Sequence, residues 1–354
     1  MLGRPRSVSI YRSLLGNLAL VIVLLSGAIM TLTFIGSQQT VRRMSGQILR
    51  ETIGQIDVEL RHFFDPVVRN LDLLRAWSES GLLDVGDQAA LNRLLVPVMR
   101  ANPQVSAVIL ADERGRSNIL FHFGDEWSIR ETRRDTWGDR AAWLEWTEAR
   151  PEPVASWKTS DYDPRDRPWF QGARAAYRAS GSGDVAARVY WTRPYTFYTA
   201  NAPGLTAALA FRSGDGLLRM VALDVLLTDI SRFTTRLRAG AHGEVMVLTD
   251  DDRVIGLPNA PRYQSFAAQI AALMKRPAEL DMPVVADAAR ALRERPGADR
   301  GPVRLESRGE RWWVDMSPFP LGPDHSLLIS VMVPESDLVG SLGYLRLGIV
   351  LVML

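Results

Sequence analysis

Ten consecutive residues, Asp161-Tyr162-Asp163-Pro164-Arg165-Asp166-Arg167-Pro168-Trp169-Phe170, bring two arginines, three aspartates and three aromatics together. The two prolines remove backbone donors and hold the residues before them extended, so the stretch reads as a fixed loop rather than a helix or a central strand. In an extended segment residues two apart face one side, which places Arg167 and Trp169 toward a common space. A planar guanidinium beside an indole wall suits a carboxylate, or another small anion, with an apolar body. The aspartates could in principle serve a hydrolase as acid and base. Lying among arginines, they are better explained as internal ion pairs. No catalytic residues are expected.

The rest of the composition narrows the chemistry further. Cysteine is absent, which excludes disulfides, thiolate metal sites and cysteine nucleophiles. His62, His122, His242 and His325 are scattered without a second ligand at metal spacing and read as surface or loop residues. The run Asp250-Asp251-Asp252 lacks the spaced glycine and glutamate of a calcium loop and reads as a turn. No metal and no cofactor is expected. Neither a Gly-x-Ser-x-Gly elbow, a Walker loop, a His-Glu-x-x-His pair nor a Gly-x-Gly-x-x-Gly turn is present. The 42 basic and 40 acidic residues nearly cancel, and Lys158 and Lys275 are the only lysines. No polyanion is implied as a partner, and no basic-aromatic stripe of the nucleic-acid kind occurs.

The elements that must position the loop begin at a membrane. Arg4, Arg6 and Arg12 precede Ser13 to Gly36, a run without charge, which as a helix would be about 36 Å long at ~1.5 Å per residue. Ser37-Gln38-Gln39-Thr40 is a poor cleavage site, so an uncleaved span over residues 13–36 is expected, with residues 1–12 cytoplasmic and the chain beyond the span outside. From Val41 to Trp77, apolar residues such as Ile56, Leu60, Phe64, Val67, Leu71 and Leu74 recur at three- and four-residue steps. They predict one long amphipathic helix that Pro66 bends or interrupts. From Val339 the chain turns apolar again, and residues 339–354 read as the start of a second span.

Between the spans the pattern is mixed. A helix through Met99 leads to strands at Val105 to Leu110 and Ile119 to Phe123, and a further strand at Val154 to Lys158 enters the loop. Trp127, Trp137, Trp143, Trp146 and Trp157 lie between and read as plugs of a small core. After a helix at Gln171 to Ala179, Val189 to Tyr198 and Leu205 to Phe211 form a hairpin with an aromatic stripe. Leu217 to Val225 is an apolar strand with Asp224 near its end, where the carboxylate either caps the following helix (Leu226 to Leu237) or faces a pocket. A second, smaller unit repeats the order of strands, helices, strands: Gly243 to Thr249 and Val254 to Leu257, helices near Ala267 to Met274 and Ala286 to Glu294, then Val303 to Ser307, Arg311 to Pro318 and Leu327 to Val333.

Tyr162, Arg167 and Trp169, set in Tyr-Asp-Pro-Arg-Asp-Arg-Pro-Trp-Phe, resemble the signature loop of double Cache domains, the extracytoplasmic ligand sensors of bacterial receptors. As a pattern of elements the resemblance covers most of Val41 to Leu338. It implies an α/β (α+β) fold of two PAS-like modules with antiparallel sheets on a long N-terminal helix, flanked by transmembrane helices. The expected division is a signalling helix at 37–80, a membrane-distal ligand-binding module at 81–239 and a membrane-proximal module at 240–338. The implied function is small-molecule sensing outside the bacterial inner membrane by a receptor that pairs as a homodimer through its long helix. The alternative is the regulatory input of a membrane-bound nucleotide cyclase, histidine kinase or phosphatase, and the two diverge only after Leu354. By resemblance Tyr162, Arg167 and Trp169 face the ligand carboxylate, while Tyr195 and Asp224 match residues that hold an amino acid's ammonium group. The family's second hairpin carboxylate is here Phe197. A pocket of Tyr162, Arg167, Trp169, Tyr195, Phe197 and Asp224 is therefore expected to take a small carboxylate or other anion rather than a standard α-amino acid.

Overall fold

In the computed structural model, which describes residues 10–83, 88–180, 188–293, 302–322 and 325–338, one helix organises the rest. Helix α1 (Ile10–Glu79) runs unbroken for 70 residues, about 105 Å at ~1.5 Å per residue. Leu49, Ile56, Leu60, Phe64, Val67, Leu71 and Leu74 lie at helical spacing and are all buried. The expected boundary at residue 37 is thus not a break in the backbone. Pro66 does not interrupt the helix either: Phe64 and Val67 beside it are buried, and the Asn70 amide donates to the Pro66 carbonyl at 2.8 Å. Toward the N-terminus, Leu14, Leu18, Val21, Leu24 and Leu25 are each more than half exposed. Among the described residues, no helix is long and apolar enough to cross a membrane. Residues 1–9 and the expected second span at 339–354 lie outside the described residues.

After α2 (Gln88–Ala101) come β1 (Ala107–Asp112), β2 (Arg116–Phe123), β3 (Glu126–Arg133), the four-residue α3 (Arg134–Trp137), β4 (Arg140–Thr147) and β5 (Arg150–Thr159). A 3-10 turn (Pro164–Asp166), α4 (Pro168–Ser180), the two-residue strands β6 (Tyr190–Trp191) and β7 (Tyr195–Thr196), then β8 (Pro203–Arg212) and β9 (Leu218–Leu226) complete the first unit. These strands form a nine-stranded antiparallel sheet ordered β5-β4-β3-β2-β1-β9-β8-β6, with β7 also paired to β8. The tryptophan-rich stretch plugs the core in part: Trp127 is buried in it and Trp146 packs against it, whereas Trp157 is half exposed. The stretch also contributes β3 and β4, with Trp127 opposite Trp146 and Trp143 opposite Arg130. The expected strand at Val189 to Tyr198 is reduced to β6 and β7, because Pro194 between them cannot donate to a ladder.

The second sheet comes after α5 (Leu227–Thr234): β10 (Glu244–Leu248), β11 (Val254–Gly256), α6 (Phe266–Ala272), a 3-10 turn at Pro277–Leu280, α7 (Pro283–Arg293), β12 (Val303–Ser307), β13 (Glu310–Pro320) and β14 (Ser326–Pro334). Its order is β11-β10-β14-β13-β12. Helix α1 packs on β8 and β9 of one sheet and on β13 and β14 of the other. Phe64 joins them directly, edge-on to Trp191 at 5.5 Å and tilted against Phe319 at 5.8 Å.

Alternation along the first sheet gives its two faces different tasks. Val108, Leu110, Leu120, Leu205, Leu209, Val221 and Leu223 bury the face that joins the core with α1 and α2. The opposite face is rich in small residues, Ala107, Ala111, Ala208, Ala210 and Ala222, set among Ile109, Ile119 and Met220, and these pack under Tyr162, Trp169 and Phe170. Short side chains below leave room for large aromatic ones above.

Candidate functional site

Local chemistry sets the cover over the alanine face. Asp163 caps the 3-10 turn: its Oδ1 accepts the Arg165 amide at 2.9 Å, and its Oδ2 pairs with the Arg165 guanidinium at 2.6 Å. Of the charges expected to pair within the loop, Asp163 and Arg165 do so, while Asp161 accepts from the Tyr198 hydroxyl instead. Arg167 is extended at φ −84° and ψ 143°, and Pro168 then opens α4, the helical position proline suits best. Trp169 and Phe170 thus belong to the first turn of a helix, not to an extended loop. That turn is what buries both rings, Trp169 at 1% exposure.

Of the six expected residues, five lie in one cluster. Tyr162 is buried beside the half-buried Arg167, whose guanidinium stands 5.9 Å from the Tyr162 ring centre and 5.5 Å from that of Tyr195. Arg167 also donates to the Thr196 carbonyl at 3.3 Å. The Tyr195 and Thr206 hydroxyl oxygens are 2.8 Å apart, and Thr206 donates to Asp224 Oδ1 at 2.6 Å. A hydroxyl has one proton, so Tyr195 is the donor to Thr206. Asp224 therefore faces the cluster and does not cap α5. Trp169 packs with Tyr162 on the alanine face. Phe197 stands apart: it is buried with Ala202 and Leu226 and touches the cluster only through the edge of Tyr195, at 5.2 Å. Gly204 makes that seat possible, since a Cβ there would lie 2.0 Å from the Phe197 ring.

The structure adds Arg130, which sequence reasoning passed over. Through the ladder Ala222–Ile109–Ile119–Arg130, one strand to the next, this residue of β3 shares the alanine face. Its guanidinium lies 3.7 Å from the Tyr162 ring centre and 5.0 Å from that of Tyr198. Nη1 donates to Thr199 at 2.7 Å. The residue is only 1% exposed, and its Nε has no hydrogen-bond partner among the described residues. The alternation of Trp127, Ile129 and Glu131 with Ser128 and Arg130 was the available signal for a strand. Tyr198 hydrogen-bonds Asp161 at the rim.

Electrostatics follow from burial. Desolvation raises the Asp224 carboxyl to about 7, against the pull of the Thr206 hydroxyl, Arg167 and Arg130. Desolvation likewise pushes the Tyr162 hydroxyl up to about 12, raises Tyr195 and lowers Arg130. Two guanidiniums thus face one carboxyl group that is about half protonated at neutral pH. Such a cluster carries an excess of positive charge and of N–H donors, the equipment for an anion.

No family model and no curated protein sequence matches the chain. Solved structures do. The ligand-binding domain of Mlp24 with asparagine superposes with a TM-score of 0.51 at 17% identity, over 85% of this chain and 98% of that one. The ligand-binding domain of the Pseudomonas fluorescens chemoreceptor CtaA in complex with L-leucine gives 0.50 at 16% identity, over 85% and 99%. At such identity the likeness is one of backbone, and on it this chain has the fold of bacterial chemoreceptor ligand-binding domains: antiparallel sheets set along one long N-terminal helix, the double Cache arrangement.

Proposed function

We propose that this chain is the extracytoplasmic input region of a bacterial transmembrane signalling receptor, and that the Tyr162–Arg167–Asp224 cluster senses a small carboxylate or other anion with an apolar body. The observation that carries the reading is Arg130, a buried guanidinium with an unsatisfied Nε beside Arg167. A buried donor of that kind is costly until an acceptor arrives. The structural neighbours were solved with asparagine and L-leucine, whose ammonium groups need carboxylate partners. Here Phe197 stands in an apolar seat instead of supplying one, and Asp224 alone is left. Although no helix among the described residues is long and apolar enough to cross a membrane, the charge-free sequence from Ser13 to Gly36 and its exposed apolar side chains from Leu14 to Leu25 support a span there, with the two sheets outside.

The test is a ligand screen by thermal shift and calorimetry on the full chain in nanodiscs, with aliphatic and aromatic monocarboxylates set against free amino acids. A monocarboxylate should bind, and Arg167→Ala should weaken it by about 30-fold or more, as expected for losing a buried charged partner worth ~2–5 kcal/mol. An acid indifferent to Arg167, or a free amino acid whose tight binding depends on Arg167, would overturn the reading.

A further inference from the structure

The second sheet carries a cover of the same make as the first. Over the first, a 3-10 turn opening at Pro164 leads to a helix opening at Pro168. In the second unit, a 3-10 turn opening at Pro277 leads to a helix opening at Pro283. That helix, α7, lies on β12, β13 and β14, whereas Val245, Val247, Val331 and Val333 alternate onto the other face of the sheet.

Between cover and sheet is a cavity of about 180 Å³, far above the ~10–15 Å³ that one water needs. Glu244, Arg262, Met282, Val285, Trp312 and Met332 line it. The register Glu244–Met332–Val314, with Trp312 two residues from Val314, puts Glu244 and the Trp312 indole on one face. Met282, Val285 and Met332 are buried and make the apolar floor and roof. Asp281 and Arg308, both at positive φ, pair with each other at the lining and neutralise one another. Three charges remain on the lining: Glu244, Arg262 and Glu310, the last of them exposed. The Glu244 side chain is half-buried and has no hydrogen bond or ion pair among the described residues, and burial raises its pKa against the pull of Arg262. Arg262 rests on the Tyr263 ring at 4.9 Å and has no ion pair among the described residues.

An unpaired carboxylate and an unpaired guanidinium that share an apolar cavity ask for a ligand carrying both complements. We propose that this cavity is a second ligand site, taking a small zwitterion with an apolar body. Its amine meets Glu244, its acid group meets Arg262, and its body lies among Met282, Val285, Met332 and Trp312. The site is independent of the cluster around Arg167.

Calorimetry on the full chain in nanodiscs tests it, with L-valine, 4-aminobutyrate and 5-aminovalerate as probes whose two charges stand progressively further apart. At least one should bind wild type and Arg167→Ala equally, and lose about tenfold or more, roughly 1.4 kcal/mol, in Glu244→Gln and in Arg262→Gln. Isobutylamine and isovalerate, each with one of the two charges, should bind about tenfold more weakly or worse at this site. Glu244→Gln keeps the side-chain shape. Should it fail to fold, Glu244→Asp, which withdraws the charge by one methylene, carries the same expectation. Failure of all three probes to bind, binding that survives both substitutions, or binding that falls with Arg167→Ala would overturn the proposal.

Discussion

At the scale of single residues, the proton on Asp224 decides which ligand charge the first site prefers. Arg167, Arg130, Tyr162 and Tyr195 face it, and desolvation holds its carboxyl protonated up to about pH 7. Affinity for a carboxylate ligand should fall as pH rises through about 7, because ionised Asp224 then repels the anion. An ammonium ligand held by Asp224 would show the opposite slope. Calorimetry between pH 5.5 and 8.5 separates the two. The same proton bears on stability. An unfolded aspartate ionises near 3.8 and the folded one near 7, so the fold loses stability as pH climbs between these values and carries the full cost above them. At ~1.4 kcal/mol per tenfold in proton affinity that cost is on the order of 4 kcal/mol. Asp224→Asn should therefore raise the melting temperature at pH 8, by a margin that shrinks toward pH 4. Arg130 invites a parallel test. Arg130→Met removes a buried guanidinium with an orphan Nε, and apolar replacement of buried charge is often neutral or stabilising by ~1–4 kcal/mol. Melting should hold or rise while monocarboxylate affinity falls, a split that a purely structural arginine would not give.

Elements act on the site through how closely they approach. Helix α4 lies against β6 and β8 and can do so because Gly172 faces the Tyr190 ring, where a Cβ would sit 2.0 Å from the nearest ring atom. Two effects compete in Gly172→Ala. Alanine is the better helix former by about 1 kcal/mol, but overpacking costs ~1–3 kcal/mol, and the clash is with a ring held in the sheet rather than with a free side-chain end. Net destabilisation is expected in urea unfolding. Since Trp169 and Phe170 ride on the first turn of α4, ligand affinity should drop as well.

For the whole molecule, α1 packs on both sheets, as the short α5 also does through β8, β9, β10 and β11, and Phe64 of α1 bridges them with a single side chain. A shift of the helix is therefore felt in both units, which the proposed receptor would need to carry a binding event along α1. The side of α1 left open holds Ile48, Val58 and Leu73, exposed by 40%, 50% and 39%. At ~100° per residue they fall within about 80° of one another around the helix. On the proposed receptor reading, that stripe is where two copies would pair through α1. The chain has no cysteine, so Val58→Cys introduces a single thiol. Oxidation in membranes should give a disulfide-linked dimer, while a cysteine at Arg61, ion-paired with Asp57, should link far less. Equal linking at both positions would remove α1 as the pairing face.

The apolar repeat from Leu49 to Leu74, the turn at 161–167 and most strands of both units, though not β3 and β4, were legible in the order of residues, because helical and pleated periodicity are local properties of the backbone. Tyr162, Arg167 and Trp169 could be singled out for the same reason, lying within eight positions of each other. What lay beyond sequence was which distant residues meet them. Arg130 enters through a register that crosses β3, β2, β1 and β9, and nothing local to Trp127–Arg133 fixes that pairing. Asp224 had two local fates, cap or cluster, and Thr206 from the neighbouring strand decided between them. Phe197 occupied the expected position in the chain, yet the missing Cβ at Gly204 let it turn into its own apolar seat. Pro66 and Pro168 make the same point from opposite sides. A proline's effect on a helix is set by its place in it and by the packing around it: Pro168 opens α4 at a position that needs no donor, and Pro66 is held within α1 by buried neighbours on either side.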